Sequence, residues 1–223
     1  MTAKKFVAVL MTLLASVALT IAAPPALAGG EKLKVVMLGD SLTAGCDWQA
    51  RLTEAEVVNQ GVCGDSTWSV IARLDQVAAA RPDLIFLQLG INDFGKKPSP
   101  EGILERHQKI WRELREKLPE AELYVVSLLP VSARRYPRWG EPVVRLNDLL
   151  RAAAGESGLT YIDVYSQLSD QDGNLVKDFT YDGLHLLPPA YDRWLETVKP
   201  YIDQAVRARG KSDDQRQARN TAG

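Results

Sequence analysis

The feature that most constrains the fold is a regular alternation of short apolar runs with amphipathic segments. The apolar runs are nearly continuous in Val, Leu and Ile, which is typical of strands covered on both faces of a parallel sheet. The alternation predicts an α/β fold with right-handed crossovers, in which helices cover both faces of the sheet as a three-layer α/β/α sandwich. The predicted strands are Leu33–Gly39, Glu56–Asn59, Leu84–Gly90, Glu122–Leu128 and Leu159–Val164.

The segments between and after these strands repeat apolar residues at helical spacing. Each has one apolar face, which is expected to pack on the sheet. Trp68, Trp111 and Trp194 fall on these apolar faces, so we expect all three in the core. The predicted helices are Ser66–Ala80, Glu101–Leu118, Glu141–Ala154 and Pro189–Val206.

The N-terminus has a different composition from the rest. Lys4 and Lys5 precede an uncharged apolar run, Phe6–Ala23, and the small-residue pattern Ala26-Leu27-Ala28 follows. These are the three parts of a secretory signal peptide, so residues 1–28 are predicted to be removed after Ala28. The mature protein would then be periplasmic or secreted. Because the apolar run is long for a signal, an uncleaved N-terminal helix that anchors the protein in a membrane is the alternative.

The remaining chain has the length and composition of one globular domain. With 46% hydrophobic and 25% charged residues, residues 29–208 are predicted to form a single packed domain. From Arg209 the sequence is polar and lacks a hydrophobic period, which predicts a disordered polar tail over 209–223. The formal charge of -1 gives no reason to expect nucleic acid as a partner. Stable membrane insertion is not expected after signal cleavage.

Polar residues follow the predicted strands, at the edge where sites form in an open parallel sheet. Gly39-Asp40-Ser41-Leu42 ends the first strand, and a serine hydroxyl there needs a base to become a nucleophile. His185 lies in a loop after the last strand, and Asp182 three residues earlier can orient its imidazole. The sequence therefore predicts Ser41, His185 and Asp182 as a catalytic group.

The chain has two histidines, and His107 is the other candidate base. It lies on the apolar face of the helix predicted over Glu101–Leu118, one turn after Ile103 and one before Ile110. A histidine in that position is usually a packed core residue, so His185 is favoured. So few histidines and two cysteines also argue against a metal site, and no cofactor is predicted.

Acyl transfer also needs donors for a developing oxyanion. Gly64 has no side chain to block its backbone N–H, and Asn92 presents an amide directly after the third strand. Each has a simpler explanation, a turn glycine with positive φ for Gly64 and a helix or turn cap for Asn92. Their position beside Ser41 and His185 favours a role as oxyanion donors together with the Ser41 N–H. Three neighbouring acids are predicted to have a local role, in which their carboxylates accept hydrogen bonds from backbone N–H groups of the loops. These acids are Asp40, Asp65 and Asp93.

The order of these blocks resembles the GDSL/SGNH hydrolase family. Gly39-Asp40-Ser41-Leu42, then Gly64, then Gly90-Ile91-Asn92-Asp93, then Asp182-Gly183-Leu184-His185 match the four blocks of that family. The resemblance spans about residues 34–195. It implies a flavodoxin-like, five-stranded parallel sheet with strand order 2-1-3-4-5. It also implies Ser41 as nucleophile, His185 as base, Asp182 as its partner, and an oxyanion hole from Ser41, Gly64 and Asn92.

Cys63 departs from the family pattern, in which a small residue often precedes the block glycine. If the protein is exported, Cys63 and Cys46 can form a disulfide, which would tie the oxyanion loop to the loop after the nucleophile. The alternative is two free thiols packed as small apolar groups.

One segment after the fourth predicted strand is expected to overhang the site. Arg134 and Arg135, with Arg138 nearby, can contact an anionic group, and Tyr136 or Trp139 can stack on a sugar or cover an acyl chain. The simpler interpretation is a solvated loop with one anchored aromatic residue.

The substrate expected from the resemblance is a small ester, such as an acylated sugar or lipid. The region Tyr181–Trp194 looks most like the platelet-activating-factor acetylhydrolase branch and bacterial sugar-acetate esterases, which implies short acyl or acetyl groups. A periplasmic lysophospholipase and thioesterase is the alternative within the family, and Gly64-Asp65 matches it. An acyltransferase that uses the same intermediate stays open, whereas a binding module would not need nucleophile, base and donors together.

Overall fold

The computed structural model describes residues 32–96 and 98–221. It contains a five-stranded sheet in which all neighbours are parallel, with the order β2-β1-β3-β4-β5. The predicted α/β class and the strand order implied by the family resemblance are both confirmed. The predicted signal peptide, residues 1–28, lies outside the described residues. The strands are β1 Lys34–Gly39, β2 Glu56–Gly61, β3 Leu84–Gln88, β4 Glu122–Val126 and β5 Thr160–Ile162.

Helices cover both faces of this sheet and fill the connections between strands. The predicted helix over Ser66–Ala80 is divided into two, because the chain turns at Ala72 and Arg73. The Arg73 guanidinium reaches back from this turn to the carbonyl of Gln60 at 2.8 Å. The helices are α1 Ser41–Ala44, α2 Trp48–Arg51, α3 Thr67–Ile71, α4 Leu74–Ala79, α5 Pro100–Lys117, α6 Gly140–Glu156, α7 Tyr165–Leu168 and α8 Pro188–Thr221.

Helix α8 shows that the prediction of a disordered tail over 209–223 is wrong as far as Thr221. The Arg209 side chain contacts the Asp83 carboxylate and donates to the Lys32 carbonyl at 3.2 Å, which fixes the helix to the start of the domain. A helix rich in Arg, Lys, Gln and Ala needs no apolar period, because these residues favour helix on their own. Within residues 32–96 and 98–221 no helix is long and apolar enough to cross a membrane.

The core lies on both faces of the sheet and includes two of the three tryptophans expected there. Trp111 and Trp194 are buried, at 2% and 0% exposure. Trp68 is 57% exposed, so its predicted place in the core is wrong. Helix α3 is only five residues long and turns Thr67 and Val70 inward, which leaves the Trp68 ring outside beneath the guanidinium of Arg106.

Strand register brings the predicted site segments together. Gly39 at the end of β1 pairs with Gly61 in β2 and with Gln88 in β3. Because these strands run parallel, the segments that follow them leave the sheet at the same edge. The loops that carry Ser41, Gly64 and Asn92 therefore start side by side.

Candidate active site

Ser41 is the first residue of α1 and follows a sharp turn at the end of β1. The Asp40 carboxylate accepts a hydrogen bond from the Leu42 N–H at 2.9 Å, which caps this short helix. A Cβ atom on Gly39 would lie 2.2 Å from Thr43 Oγ1 and 2.3 Å from the Gln88 carbonyl. Only glycine permits so close an approach, so the sequence Gly-Asp-Ser places the hydroxyl at the edge of the sheet.

The Asn59 side chain fixes the loop after the nucleophile, a role that the sequence analysis missed. Its amide Nδ2 donates to the carbonyls of Thr43, Ala44 and Cys46 at 3.3, 3.3 and 3.0 Å. Its Oδ1 accepts from the Gly61 N–H at 2.9 Å. One amide thus links three carbonyls around the end of α1, and the Thr43 carbonyl also accepts from the Trp48 indole N–H at 2.9 Å.

A continuous chain of hydrogen bonds joins the three predicted catalytic side chains. Ser41 Oγ lies 3.2 Å from His185 Nε2, and His185 Nδ1 lies 2.7 Å from Asp182 Oδ2. Asp182 Oδ1 accepts from the backbone N–H groups of Leu184 at 2.9 Å and His185 at 2.8 Å. The arrangement is that of a nucleophile, a base and an orienting carboxylate.

The Asp182 carboxylate is held in its charged form. Partial burial alone would raise its pKa, but hydrogen bonds from the His185 ring and from the two backbone N–H groups outweigh it. The pKa of Asp182 therefore lies below its ordinary value.

Thr180 and Tyr181 hold the loop that carries His185. Thr180 Oγ1 donates to the His185 carbonyl at 2.7 Å and accepts from the Gly183 N–H at 2.9 Å, which closes the loop on itself. The Tyr181 ring stacks on the His185 imidazole with centroids 6.0 Å apart and planes 12° apart. Tyr181 is 67% exposed, so its outer face is free to contact a substrate.

The predicted oxyanion donors lie on two adjacent loops. Asp65 N–H donates to the Val62 carbonyl at 3.1 Å, and Gly64 within this turn has φ of +81°, a conformation that favours glycine. The Asn92 amide donates to the Asp65 carbonyl at 2.9 Å, which joins the two loops directly. Gly64 is thus a turn glycine, and the space beside its Cα is open, since a Cβ atom there would meet no atom within 4 Å.

Two buried ion pairs brace these loops, and their carboxylates have the local roles predicted for Asp65 and Asp93. Asp93 accepts from the Thr67 N–H at 2.9 Å and from the Thr67 hydroxyl at 2.5 Å. Arg106 contacts both of these residues, at 3.2 Å from Asp93 and 2.6 Å from Thr67. Arg73 donates to Asp65 at 2.7 Å. Neither arginine was recognised in the sequence, because the separations of eight and thirteen residues from their partners match no regular helix or strand spacing.

A cavity of about 390 Å³ opens beside Ser41. Cys63 is exposed on its wall, whereas Cys46 is buried in the core, and both thiols are free. The predicted disulfide between Cys46 and Cys63 is therefore not formed in this structure, because the packing of the loop directs Cys46 inward. The cavity is lined by Ser41, Ala44, Gly45, Cys63, Tyr181, His185, Leu186 and Tyr191.

The segment after β4 contributes only part of the expected substrate contacts. Arg134 and Arg135 line a second cavity of about 550 Å³, next to Tyr181 and Asp182. Tyr136 and Trp139 line neither cavity; they stack on each other at 4.8 Å and pack against the core. Their expected contact with substrate is not supported by this structure, because each aromatic ring is used to anchor the loop.

His107 occupies the packed position that the helical pattern predicted. It is fully buried, and its Nε2 lies 3.1 Å from the Leu89 carbonyl. Burial lowers the pKa of its imidazole to about 4. Its ring contacts Trp111 rather than the cavity at Ser41.

Comparison with known families decides which family the chain belongs to. A family model described as the GDSL-like lipase/acylhydrolase family matches residues 37–193, more than half of the 223-residue chain. The chain belongs to the GDSL-like lipase/acylhydrolase family. It is an ester-hydrolysing enzyme, as its four sequence blocks predicted.

Solved structures of GDSL-like enzymes share its fold. A Streptococcus pneumonia protein provisionally described as a platelet activating factor is 28% identical with a TM-score of 0.70, covering 78% of this chain and 86% of that one. The lipase/acylhydrolase from Enterococcus faecalis is 20% identical with a TM-score of 0.66, covering 78% and 95%. A mutant acetyl-xylooligosaccharide esterase from Geobacillus stearmophilus is 15% identical with a TM-score of 0.64, covering 78% and 95%. A search among curated proteins finds no match.

Replacing Asn92 by alanine is expected to lower kcat by about 10²–10³-fold, the usual effect of losing one oxyanion donor. KM should change little, because the oxyanion exists only in the transition state. Steady-state kinetics on an acetate ester measures both values. Thermal unfolding is the necessary control, since the Asn92 amide also joins two loops through the Asp65 carbonyl. A kcat close to that of the wild type in a folded variant would contradict a role in the oxyanion hole.

Asp40 makes the stability of this GDSL-like enzyme depend on pH. Burial raises the pKa of its carboxyl to about 7 from 3.8, the nearby charges of Asp65 and Asp93 add to the effect, and the Leu42 N–H opposes it. Its Oδ2 has no hydrogen-bond partner among the described residues. The folded state thus binds the proton more tightly than the unfolded state, so stability is lost as the pH rises from the unfolded towards the folded pKa.

The Asp40→Asn variant is expected to lack this loss. Relative to the variant, the wild type should lose up to about 1.4 kcal/mol of unfolding free energy per pH unit between about pH 4 and pH 7, and no more above that range. Urea unfolding of both proteins across this range measures the difference. If the unfolding free energies of the two proteins change in parallel with pH, Asp40 has its ordinary pKa in the folded enzyme.

Proposed function

We propose that this enzyme hydrolyses short-chain carboxylic esters through an acyl-enzyme intermediate on Ser41. The observation that carries the proposal is the hydrogen-bonded chain from Ser41 through His185 to Asp182, with distances of 3.2 and 2.7 Å. A serine without a base is a weak nucleophile, and this chain supplies the base and the group that orients it.

Each step of the proposed reaction follows from this geometry. His185 Nε2 takes the proton from Ser41 Oγ as the oxygen bonds to the acyl carbon, and Asp182 stabilises the imidazolium. The carbonyl oxygen gains negative charge and is bound by the N–H groups of Ser41 and Gly64 and by the Asn92 amide. His185 then gives the proton to the departing alcohol oxygen. In the second half, water repeats the attack and releases the acid and free Ser41.

The fixed wall of the cavity at Ser41 and the description of one structural neighbour support a short acyl group. The volume of this cavity is about 390 Å³, and the acyl carbon must fit there because it bonds to Ser41. Tyr191 donates its hydroxyl to the Leu42 carbonyl at 3.0 Å and is packed between Trp48 and Trp194, so this wall is held in place. The description of one structural neighbour as an acetyl-xylooligosaccharide esterase agrees with an acetyl substrate.

A second candidate is a lysophospholipase or thioesterase that accepts longer acyl chains. The observation that favours it is the exposure of apolar side chains on loops of the site, with Val62 at 45% and Tyr181 at 67%. An acyl chain too long for the cavity would cover these side chains and remove apolar surface from water.

Hydrolysis of p-nitrophenyl esters from acetate to laurate distinguishes the two candidates. A steep fall in kcat/KM beyond butyrate is expected for the short-acyl enzyme, whereas a rise towards laurate would favour the second candidate. Adding glycerol as an acceptor tests acyl transfer, because a transferase would release the glycerol ester instead of the free acid. Absence of turnover on every ester and thioester would contradict the proposal itself.

A further inference from the structure

The cavity next to the candidate site is the feature of the molecule that the proposed reaction does not use. It has a volume of about 550 Å³ and shares Tyr181 with the cavity at Ser41. One wall is held by backbone bonds, since the Ser132 N–H donates to the Gly183 carbonyl at 2.9 Å. A second lining segment is fixed by the Asn174 side chain, which accepts from the Ala133 N–H at 2.9 Å. The cavity is thus a preformed extension of the catalytic cleft.

The cationic side chains that line this cavity outnumber the acidic ones, which favours an anionic ligand. Arg134, Arg135 and Lys177 line it, and none of them forms an ion pair or a side-chain hydrogen bond with any residue in the described part of the chain. The two acids that also line it have partners of their own, and three cations stand against these two carboxylates. Asp170 accepts from backbone N–H groups of its own turn, and Asp182 binds the His185 ring and loop.

The chemistry of ester cleavage decides which part of a substrate would reach these cations. His185 must protonate the oxygen of the leaving alcohol, so the alcohol part has to lie on the His185 side of Ser41. The oxyanion donors Gly64 and Asn92 lie on other loops, after β2 and β3. The cationic cavity adjoins His185 through Tyr181 and Asp182, so it continues the path of the alcohol part.

We propose that the enzyme acts on esters whose alcohol part carries an anionic group, and that Arg134, Arg135 and Lys177 bind this group. The inference rests on the proposed ester hydrolysis at Ser41. A carboxylate on a sugar or a phosphate on a glycerol would satisfy the same cations, because both accept charge-assisted hydrogen bonds from guanidinium groups. Tyr181 would then contact the part of the alcohol between the ester and the anion.

Matched pairs of substrates test this proposal. The first pair is an acetylated methyl glucosiduronate and the equally acetylated methyl glucoside, and the second is 1-acetylglycerol 3-phosphate and 1-acetylglycerol. We expect kcat/KM to be at least about tenfold higher for the anionic member of one pair, in line with charge-assisted binding. The pair with the larger ratio identifies the anion, carboxylate or phosphate.

A triple variant, Arg134→Gln, Arg135→Gln and Lys177→Gln, removes the charges and keeps a polar side chain at each position. Its ratio of anionic to neutral kcat/KM is expected to fall to about one. Arg138→Gln is the matched control, because Arg138 lies in the same segment but does not line the cavity, and it should keep the wild-type ratio.

The outcomes separate this inference from the proposed function. Equal wild-type rates within both pairs, or a high ratio that survives in the triple variant, would overturn the anion site while leaving ester hydrolysis intact. Failure of the wild type on all four acetates together with p-nitrophenyl acetate would overturn the proposed function instead. A ratio that falls in Arg138→Gln as much as in the triple variant would also reject the site, since the effect would then come from general surface charge.

Discussion

The Ser41→Ala variant is expected to lose roughly a million-fold in kcat, because it removes the hydroxyl that is hydrogen-bonded to the base His185. The residual rate should come from the oxyanion donors and from substrate binding, which the substitution leaves in place. Steady-state hydrolysis of p-nitrophenyl acetate gives the rate. An organophosphorus ester tests the nucleophile independently, since it should add a phosphoryl mass to the Ser41 peptide of the wild type and to no peptide of the variant.

Ser166→Ala is a matched control for this experiment. Ser166 follows the start of another short helix, α7, and its hydroxyl donates to the Asp163 carboxylate at 2.9 Å, away from the candidate site. Its removal should leave kcat unchanged. Turnover by a folded Ser41→Ala protein at more than about a hundredth of the wild-type rate would exclude Ser41 as the nucleophile.

The sequence pattern was sufficient to predict the sheet and the position of the reactive side chains. Strands β1 and β3 are nearly continuous apolar runs because helices cover both of their faces, and that periodicity is a local property of the chain. Parallel strands then bring their carboxyl ends to one edge. The meeting of Ser41 with His185, 144 residues later, follows from this rule once the helices are placed between the strands.

The bracing of the oxyanion loops could not be predicted in this way. Arg106 and Thr67 are 39 residues apart and lie on different helices, so no local pattern connects them. Asn59 lies in strand β2 beside other polar residues, Glu56 and Gln60, so the sequence does not single it out for its role beneath the nucleophile. Buried polar residues need partners, but the sequence alone does not say which ones.

The two cysteines and the last helix show a different limit of prediction from the sequence. The sequence places Cys46 and Cys63 close along the chain, yet the direction of each side chain depends on how the loops pack around them. Helix α8 continues past the end of the apolar period because helix formation needs backbone hydrogen bonds and suitable propensity, not an apolar face. An apolar period indicates that one face of a helix is buried, so it does not predict a helix that is exposed on all sides.

The Asp182→Asn variant separates the orienting carboxylate from its effect on the fold. The asparagine Oδ1 can still accept from the N–H groups of Leu184 and His185, so the loop should keep its shape. Its amide nitrogen would replace Oδ2 and present an N–H to His185 Nδ1. His185 would then carry its proton on Nε2, facing Ser41, and could not accept the serine proton. We expect kcat to fall by about 10⁴-fold with little change in KM, which is the usual effect of the wrong tautomer.

Thermal unfolding and steady-state kinetics on the same preparations test this expectation. Asp178→Asn is the matched control, since Asp178 is exposed, lies four residues before Asp182 and forms no ion pair with a described residue, and it should retain the wild-type kcat. If the wrong tautomer is the cause, Asp182→Asn should lose activity while its Tm stays close to that of the wild type. A loss of less than tenfold would mean that His185 works without a charged partner, and the carboxylate would then serve only to shape the loop.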